Sequence, residues 1–512
     1  MRALSLSAAV SSIVLGGWLT GVAAQTVDTA PDTTGSIFGA SAWDSGHLPP
    51  GVIPQPSIDS PGVVTGITVG ELYTDNLMLA PDGKPKQSSW ITQIQPFLKS
   101  AYSGPRLSGV LNYTLTGYLY PGESRHNQVA QDLATRGTLV ILPQHLFLSG
   151  TAMYGREVVD NELPVGSGTF FINNNQANVT RATLSPYWTQ SLGRVGDVIL
   201  RYSYGRVLYD TKGIPAQSDN LLTGVSDITS NALMFNFASP RENTWRWNAD
   251  YSDQRIDYGF GRTVRYAIAK LGTELQINPS TSLLADAGRE NKFLPDGTVD
   301  RLGASFWDAG AQWSNAQNYL KVLVGHRFYG RSYQFSWTHN AALLTTRVGY
   351  VEQPTDLNQQ LLGTGTGAIP SSGIGLNPSL RERRVYLMKR ATASASYEMP
   401  KSILRLTLYN EQRTYFLLSS GREKVANADI TWRYNLGPFT TLTPTYGWQR
   451  YQHQNGQTNY NQFAQVALTH QLDARNFATL RVRHDSRSVN TAALGARGYA
   501  ANVIFLQLTH LF

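Results

Sequence analysis

Residues 502–512 read NVIFLQLTHLF, and this stretch decides the fold class. Its even-numbered positions from 504 onward lie on one face and are Ile504, Leu506, Leu508, His510 and Phe512. The opposite face includes Gln507 and Thr509, because successive side chains of a strand point to opposite sides. A strand with one apolar and one mixed face is typical of a transmembrane barrel wall. An amphipathic edge strand of a soluble sandwich would show the same alternation.

The stretch ends on the aromatic Phe512, preceded by apolar residues at alternate positions. In this it resembles the terminal signal that is read by the bacterial barrel-assembly machinery, and the resemblance implies that machinery as a partner. His510 departs from the pattern, which more often has Tyr or an apolar residue there.

The first residues favour the membrane barrel over the soluble sandwich. Residues 1–24 combine Arg2, an apolar run and a small-residue end, which predicts a signal peptide cleaved after Ala24. No later run of about 20 apolar residues could form a membrane helix. Cys is absent, which excludes disulfides and thiol chemistry. We therefore expect the outer membrane of a Gram-negative bacterium as the location.

The composition also suits a barrel. Aromatic residues make up 11% of the chain, with 26 Tyr and 11 Trp, and such residues form girdles at the two membrane interfaces. The formal net charge is +8 with 43 basic and 35 acidic residues. Without Arg2, 42 basic residues remain against 35 acidic ones, which gives +7. This basic balance does not indicate nucleic acid in a chain with a signal peptide and a barrel.

Three regions are expected along the chain. The signal peptide is followed by a Pro-rich, flexible periplasmic lead-in over residues 25–63, which could also fold back as a partial plug. Residues 64–512 are expected to form the barrel. About 40 residues before the first strand are too few to fill a barrel of about 22 strands, which argues against an energised importer.

The links between predicted strands alternate in length. Short links are expected at 102–105, 142–144, 192–196, 239–243, 278–280, 315–318, 339–342, 399–402, 437–440 and 473–476. Longer ones are expected at 120–128, 157–176, 210–227, 291–302, 352–383, 453–461 and 489–498. Short periplasmic turns opposite long extracellular loops predict a single all-β, antiparallel outer-membrane barrel of about 22 strands, with 18 or 20 as alternatives.

The longest predicted loop, 352–383, contains the Gly-rich stretch 363–367. Loops of this length are usually functional or disordered. It could cover the mouth, fold into the lumen, or form a mobile surface loop.

If the apolar partners face lipid, alternate residues line the lumen. The predicted basic lumen positions are Arg201, Arg246, Lys321, Arg327, Arg405, Arg413, Arg433, Arg481 and Arg483. Fewer acids are expected inward on these strands, namely Asp250, Glu411 and Asp485. Rings of Arg or Lys favour anions in pores, so these residues are candidates for binding an anion or a polysaccharide. Alternatively, Arg–carboxylate pairs only brace the wall, or outward arginines meet lipopolysaccharide phosphates.

Four strings carry a family resemblance: LYTDNL at 72–77, LSPYW at 184–188, SFWDAGAQW at 305–313 and GHRFYGRSY at 325–333. In this order and spacing they resemble the outer-membrane β-barrel family associated with the PEP-CTERM protein-sorting system. The likeness runs from about Thr65 to Phe512. It implies an outer-membrane barrel linked to exosortase and exopolysaccharide loci, and it carries over no catalytic residues.

The leading hypothesis is a passive, porin-like conduit for export of an anionic or polymeric carbohydrate. Its expected partners are outer-membrane lipid, lipopolysaccharide, the anionic polysaccharide and periplasmic export proteins, with no nucleic acid. The second hypothesis is a non-conducting barrel that acts as a surface interaction or structural protein. A hydrolase built from His453, His484 and Asp485 is the third, but no nucleophile elbow or zinc motif supports it. We expect no enzyme activity, no metal and no cofactor.

Overall fold

The computed structural model describes residues 56–512, apart from 123, 161–162, 165, 167, 173–174, 211–225, 241, 260, 296–297, 363–383, 417–420 and 491–497. The predicted signal peptide and most of the predicted lead-in therefore lie outside the described residues.

Twenty-two antiparallel strands form one sheet. They are Gly62–Thr74 (β1), Ser89–Ser103 (β2), Leu107–Leu119 (β3), Gln128–Leu142 (β4), Leu146–Val158 (β5), Gln176–Ser191 (β6), Asp197–Asp210 (β7), Ile228–Ala238 (β8), Trp245–Tyr258 (β9), Arg262–Asn278 (β10), Thr281–Phe293 (β11), Val299–Ser314 (β12), Asn318–Arg327 (β13), Gly330–Asn340 (β14), Leu344–Thr355 (β15), Tyr386–Met399 (β16), Ser402–Tyr415 (β17), Arg422–Gly437 (β18), Thr440–Gln452 (β19), Thr458–Gln471 (β20), Asn476–Val489 (β21) and Tyr499–Leu511 (β22). Among the described residues, a 3-10 turn at Ser124–His126 and a short helix, Leu357–Leu361 (α1), lie in links between strands.

Each strand pairs with its neighbours in sequence, and the sheet closes because β22 pairs with β1. In this last pairing Gly66 lies opposite Leu511, and Thr74 lies opposite Val503. Closure leaves no free sheet edge, so every strand can satisfy its backbone groups within the sheet. The predicted 22-stranded antiparallel barrel of the outer-membrane type is confirmed.

The strand bounds confirm the alternation of link lengths. All ten predicted short links coincide with turns at one end of the barrel, which we call the short-turn end. The opposite, long-loop end carries the longest link, 356–385, while 259–261 and 328–329 are its shortest links. By the usual arrangement of outer-membrane barrels, the short-turn end is periplasmic and the long-loop end is extracellular.

The outer surface carries the apolar face of each strand. On β22, Leu506 and Leu508 are each 57% exposed, whereas Phe505 and Gln507 are buried on the inner side. A girdle of outward aromatic residues follows the short-turn end and comprises Trp188, Trp245, Trp313, Tyr397 and Trp432. This apolar band with its aromatic girdle is the surface that a bilayer requires of a barrel.

Candidate functional site

All nine predicted lumen residues face the barrel interior. On β17, Leu406 is exposed to the outside whereas Tyr409 and Glu411 are buried, and Arg405 and Arg413 share the parity of the buried pair. The same alternation places the other seven inside: Arg201, Arg246, Lys321, Arg327, Arg433, Arg481 and Arg483.

The inward acids are more numerous than the sequence analysis expected. Besides Asp250, Glu411 and Asp485, the inner faces carry Asp132, Glu157, Asp197, Glu274, Asp286, Glu290, Asp308, Glu398, Glu423 and Asp429. On the strands of the nine predicted basic residues the inward acids remain fewer, as expected, and most of the additional acids lie on other strands. Several of these acids were missed because their outward neighbours are small, as with Ala285 and Ala287 beside Asp286, so no apolar alternation marked the strand.

Four predicted anion-binding residues are instead held in ion pairs. These pairs are Arg246–Glu274 at 3.0 Å, Arg327–Glu290 and Arg327–Asp308 at 2.6 Å each, Arg413–Glu411 at 2.5 Å, and Arg483–Asp485 at 2.8 Å. A carboxylate at this distance neutralises the guanidinium locally. These arginines brace the wall, as the alternative interpretation of the sequence proposed.

The most deeply buried ionic cluster lies on β16–β18, toward the long-loop end. Both side-chain oxygens of Glu411 are used, because Arg390 bonds one at 2.6 Å and Arg413 bonds the other at 2.5 Å. Arg413 also donates to Tyr451 Oη at 2.7 Å and lies 3.3 Å from Glu423. Glu411 and Arg413 are fully inaccessible to solvent, so this cluster cannot bind a passing anion as it stands.

Lys321 of β13 lies beside the acidic wall of β10–β12. Lys321 is only 4% exposed, and its ammonium group is attracted by the carboxylates of Glu274, Asp286 and Asp308. The neighbouring Lys270 reaches both Asp250 and Asp286, with N···O distances of 3.4 and 3.8 Å. The acids of this wall offset the charge of Lys321, so Lys321 does not create a basic ring here.

Four arginines near the short-turn end differ from these paired ones. Arg201 and Arg405 were predicted, whereas Arg136 on β4 and Arg347 on β15 were not. None of the four has an ion pair with a residue that the structure describes. Arg136, Arg347 and Arg405 are exposed to the lumen, and Arg201 stacks over the Tyr187 ring at 4.4 Å. We call these four the vestibule arginines.

Two further predicted residues complete the inner surface. Arg433 is a diagonal neighbour of Arg405, because Arg433 pairs with Ile403 and Arg405 pairs with Thr431. Arg481 stacks over the Phe505 ring at 5.0 Å and is 4% exposed. Arg433 therefore lies beside Arg405 near the short turns, in the same cross-strand row as the inward Glu398, whereas Arg481 is part of the packed wall.

The wall around the closing strands carries mainly hydroxyl and amide groups. The inward positions of β22, β1 and β3 include no charged residue, and β2, which lies between β1 and β3, carries one buried inward cation, Lys99. Side chains there bond to each other across strands: Thr68 to Thr509 at 2.8 Å, Gln95 to Thr116 at 2.9 Å, and Gln507 to Gln93 at 2.9 Å. Such groups can exchange hydrogen bonds with sugar hydroxyls.

Helix α1 folds into the lumen from the link between β15 and β16. Asp356 caps it by accepting from the backbone N–H groups of Asn358 and Gln359 at 2.8 and 2.9 Å. The other Asp356 oxygen accepts from Tyr258 on β9 and Tyr266 on β10. Burial raises the pKa of the Asp356 carboxyl above its usual range. The start of the predicted loop 352–383 therefore enters the lumen, and 363–383 lies outside the described residues.

Apolar contacts hold α1 against the opposite wall. Leu357, Leu361 and Leu362 pack into a cluster with inward residues of β6–β10. A Cβ added to Gly205 on β7 would lie 2.9 Å from Leu362, so the glycine permits this close approach. In the same cluster Phe293 of β11 stacks on Phe416, with ring centroids 5.6 Å apart. These contacts narrow the long-loop end on one side.

Leu163 and residues 168–172, from the link between β5 and β6, narrow the other side of the long-loop end. Phe170 packs edge-on against Phe505 of β22, with ring centroids 5.7 Å apart. Tyr120 Oη donates to the Phe170 carbonyl at 2.5 Å, and Arg487 donates to the Leu163 carbonyl. The described lumen is thus crowded toward the long loops and lined by accessible arginines toward the short turns.

The hydrolase residues do not converge. His484 faces outward and bonds Asn502 at 2.8 Å, whereas Asp485 faces inward and pairs with Arg483. His453 lies beyond β19, where Asn459 donates to its Nε2. Within the described part of the chain, no group of three or more His, Asp or Glu could hold a metal ion. The described residues also include no helix that is both long and apolar enough to span a membrane.

No protein-family model matches the chain, and no curated protein is similar to it in sequence. Among solved structures, the FrpB iron transporter from Neisseria meningitidis is similar at 10% identity and a TM-score of 0.48, covering 88% of this chain and 82% of its own. The siderophore receptor PirA from Pseudomonas aeruginosa is similar at 9% identity and a TM-score of 0.42, covering 90% and 81%. At such low identities and TM-scores, the similarity gives no information about the substrate. The assignment of the fold therefore depends on the observed strand pairing.

Proposed function

We propose that this protein is a passive outer-membrane conduit that takes up anionic carbohydrate chains at its periplasmic mouth for export. The observation that carries the proposal is the set of vestibule arginines, which face the lumen without carboxylate partners among the described residues. Unpaired guanidinium groups in a confined opening raise the local concentration of anions. The proposed link to an exopolysaccharide system follows from this substrate class.

Carbohydrate is favoured over a small inorganic anion by the largely uncharged wall of β22, β1, β2 and β3. Its hydroxyl and amide groups offer hydrogen bonds along the strands, and its one inward cation, Lys99, is buried. The stacked rings of Phe147 and Tyr187, with centroids 4.9 Å apart, add an aromatic surface beside Arg201 near the short turns. A chain that carries both carboxylates and sugar hydroxyls would find partners for both.

Uptake of labelled oligosaccharides into proteoliposomes tests the substrate class. Uronic-acid oligomers should enter several-fold faster than neutral oligomers of equal length. An Arg136→Gln/Arg347→Gln/Arg405→Gln variant should lose that preference while keeping neutral uptake. Equal entry of acidic and neutral oligomers through the unaltered barrel would refute a basic vestibule as the selective element.

A non-conducting barrel that binds partners at the surface is the second candidate. The two inward segments at the long-loop end favour it, because both are held by several hydrogen bonds and aromatic contacts. Asp356→Ala separates the two functions, since it removes the cap of α1 and both tyrosine contacts. A conduit closed by α1 should gain conductance in this variant, whereas a barrel with a purely structural lumen should stay silent.

A further inference from the structure

Five arginines cluster on the outer surface of β9–β14 toward the long-loop end. They form what we call the outer arginine belt, and its members are Arg255, Arg265, Arg289, Arg301 and Arg331. Side-chain exposure is 59% for Arg255, 39% for Arg265 and 51% for Arg301. The lumen ion pairs do not involve these residues, so the belt requires a separate explanation.

Two aspartates organise the belt without neutralising it. Asp257 accepts from Arg255 at 2.8 Å, and Asp253 accepts from Arg265 at 2.6 Å and from Arg301 at 3.0 Å. Two carboxylates thus serve three guanidinium groups, which keep further donors directed outward. Arg289 and Arg331 have no ion pair with any described residue.

The belt adjoins the apolar band directly. Arg331 lies opposite His326 across β14 and β13, and His326 lies opposite Trp307 across β13 and β12. Trp307 is 51% exposed on the outer surface, as expected of an interfacial aromatic residue. Arg289 pairs with Ser305 of β12, which is the next outward residue after Trp307 in the direction of the long loops. The belt therefore lies at the level of outer-leaflet headgroups.

Outward basic residues at the long-loop end occupy only part of the barrel circumference. At the same end, the outward positions of β20–β22 and β1–β3 include Glu71, Tyr73, Trp90 and His484 but no Arg or Lys. Other outward basic residues at this end, such as Arg206 on β7, Lys424 on β18 and Arg450 on β19, lie outside the belt. The belt differs from them because its arginines lie on neighbouring strands and three of them share Asp253 and Asp257.

We propose that the outer arginine belt binds the phosphate groups of a phosphorylated glycolipid of the outer leaflet, the chemistry of lipopolysaccharide. The planar guanidinium donates two parallel hydrogen bonds to phosphate, and the spread of five arginines suits a headgroup with more than one phosphate. The acyl chains would pack on the apolar outer faces of β10–β13 below the belt.

Native mass spectrometry of the detergent-purified full chain, titrated with diphosphorylated lipid A, tests the proposal. The Arg255→Gln/Arg289→Gln/Arg301→Gln variant should bind at least about tenfold more weakly, because each lost guanidinium removes charge-assisted hydrogen bonds. Dephosphorylated lipid A should bind the unaltered protein as weakly as the variant binds the phosphorylated form.

Two controls keep the result interpretable. Arg289→Gln/Arg331→Gln removes only residues without ion-pair partners in the described structure, so it should fold normally and still lose affinity. The Arg136→Gln/Arg347→Gln/Arg405→Gln variant removes three lumen charges and should bind lipid A like the unaltered protein. Undiminished binding by folded belt variants, or equal binding of dephosphorylated lipid, would overturn the proposal.

Discussion

The two ends of the lumen use the same residue type in opposite ways. Toward the long loops, Arg390 and Arg413 enclose Glu411 in a fully buried cluster. Toward the short turns, Arg347 and Arg405 face the lumen with no carboxylate partner among the described residues. The number of inward arginines therefore does not predict selectivity. The position of the carboxylates on neighbouring strands decides which arginines remain available to a solute.

Removing the buried carboxylate should give the largest effect. Glu411→Ala leaves Arg390 and Arg413 buried without their shared partner, which costs about 3–5 kcal/mol for a broken buried pair. The urea midpoint of the barrel folded in vesicles measures this loss. Glu398→Gln, an exposed acid near the short turns, is the matched control and should change stability by less than about 0.5 kcal/mol. A small effect of Glu411→Ala would mean that the cluster is solvated.

The second largest effect on stability should come from acidification, which protonates His453 at the long-loop end. Burial lowers the pKa of His453 from 6.5 to about 4, so the folded chain binds its proton less readily than the unfolded chain. This stabilising contribution is complete above pH 6.5 and is lost as pH falls towards 4, by up to about 3 kcal/mol.

Unfolding midpoints of the unaltered chain and His453→Gln between pH 7 and pH 4 check this prediction. The difference between the two proteins should narrow with acidification, since only the histidine gains a proton. A difference that is constant with pH would show that His453 is accessible to protons in the folded chain.

A vestibule arginine should matter least to stability. Arg405→Gln removes a lumen-exposed charge with no ion pair among the described residues, so the unfolding free energy should change by less than about 0.5 kcal/mol. The same urea titration measures it beside Arg413→Gln, which should be destabilised by several times more because it leaves Glu411 and Glu423 short of a partner. Similar losses of unfolding free energy in both variants would show that arginines at the two ends of the lumen do not differ in their structural role.

The sequence was sufficient for the barrel because strand periodicity and link lengths are local signals. Leu506 and Leu508 alternate with buried residues as expected, and the turn at 192–196 has its predicted bounds. The charge balance of the lumen was not accessible in this way. Glu290 and Arg327 meet across an intervening strand, and their contact depends on the register of three strands.

The sequence could not decide whether the loop that contains α1 enters the lumen, for a similar reason. A Gly-rich link permits several paths, and the path taken depends on Tyr258 and Tyr266, about 90–100 residues earlier in the chain. Arg136 was missed because its neighbours Thr135 and Gly137 are not apolar, so no apolar alternation marked its inward face, whereas Arg347 has the outward Val348 beside it and could have been predicted.

The reversal potential of the refolded chain in a planar bilayer under a salt gradient tests the central claim most directly. The account predicts an anion-selective current that moves towards zero selectivity in the Arg136→Gln/Arg347→Gln/Arg405→Gln variant and stays unchanged in Glu157→Gln/Arg181→Gln, which removes a buried pair. Cation selectivity, or a shift of equal size in both variants, would contradict the account.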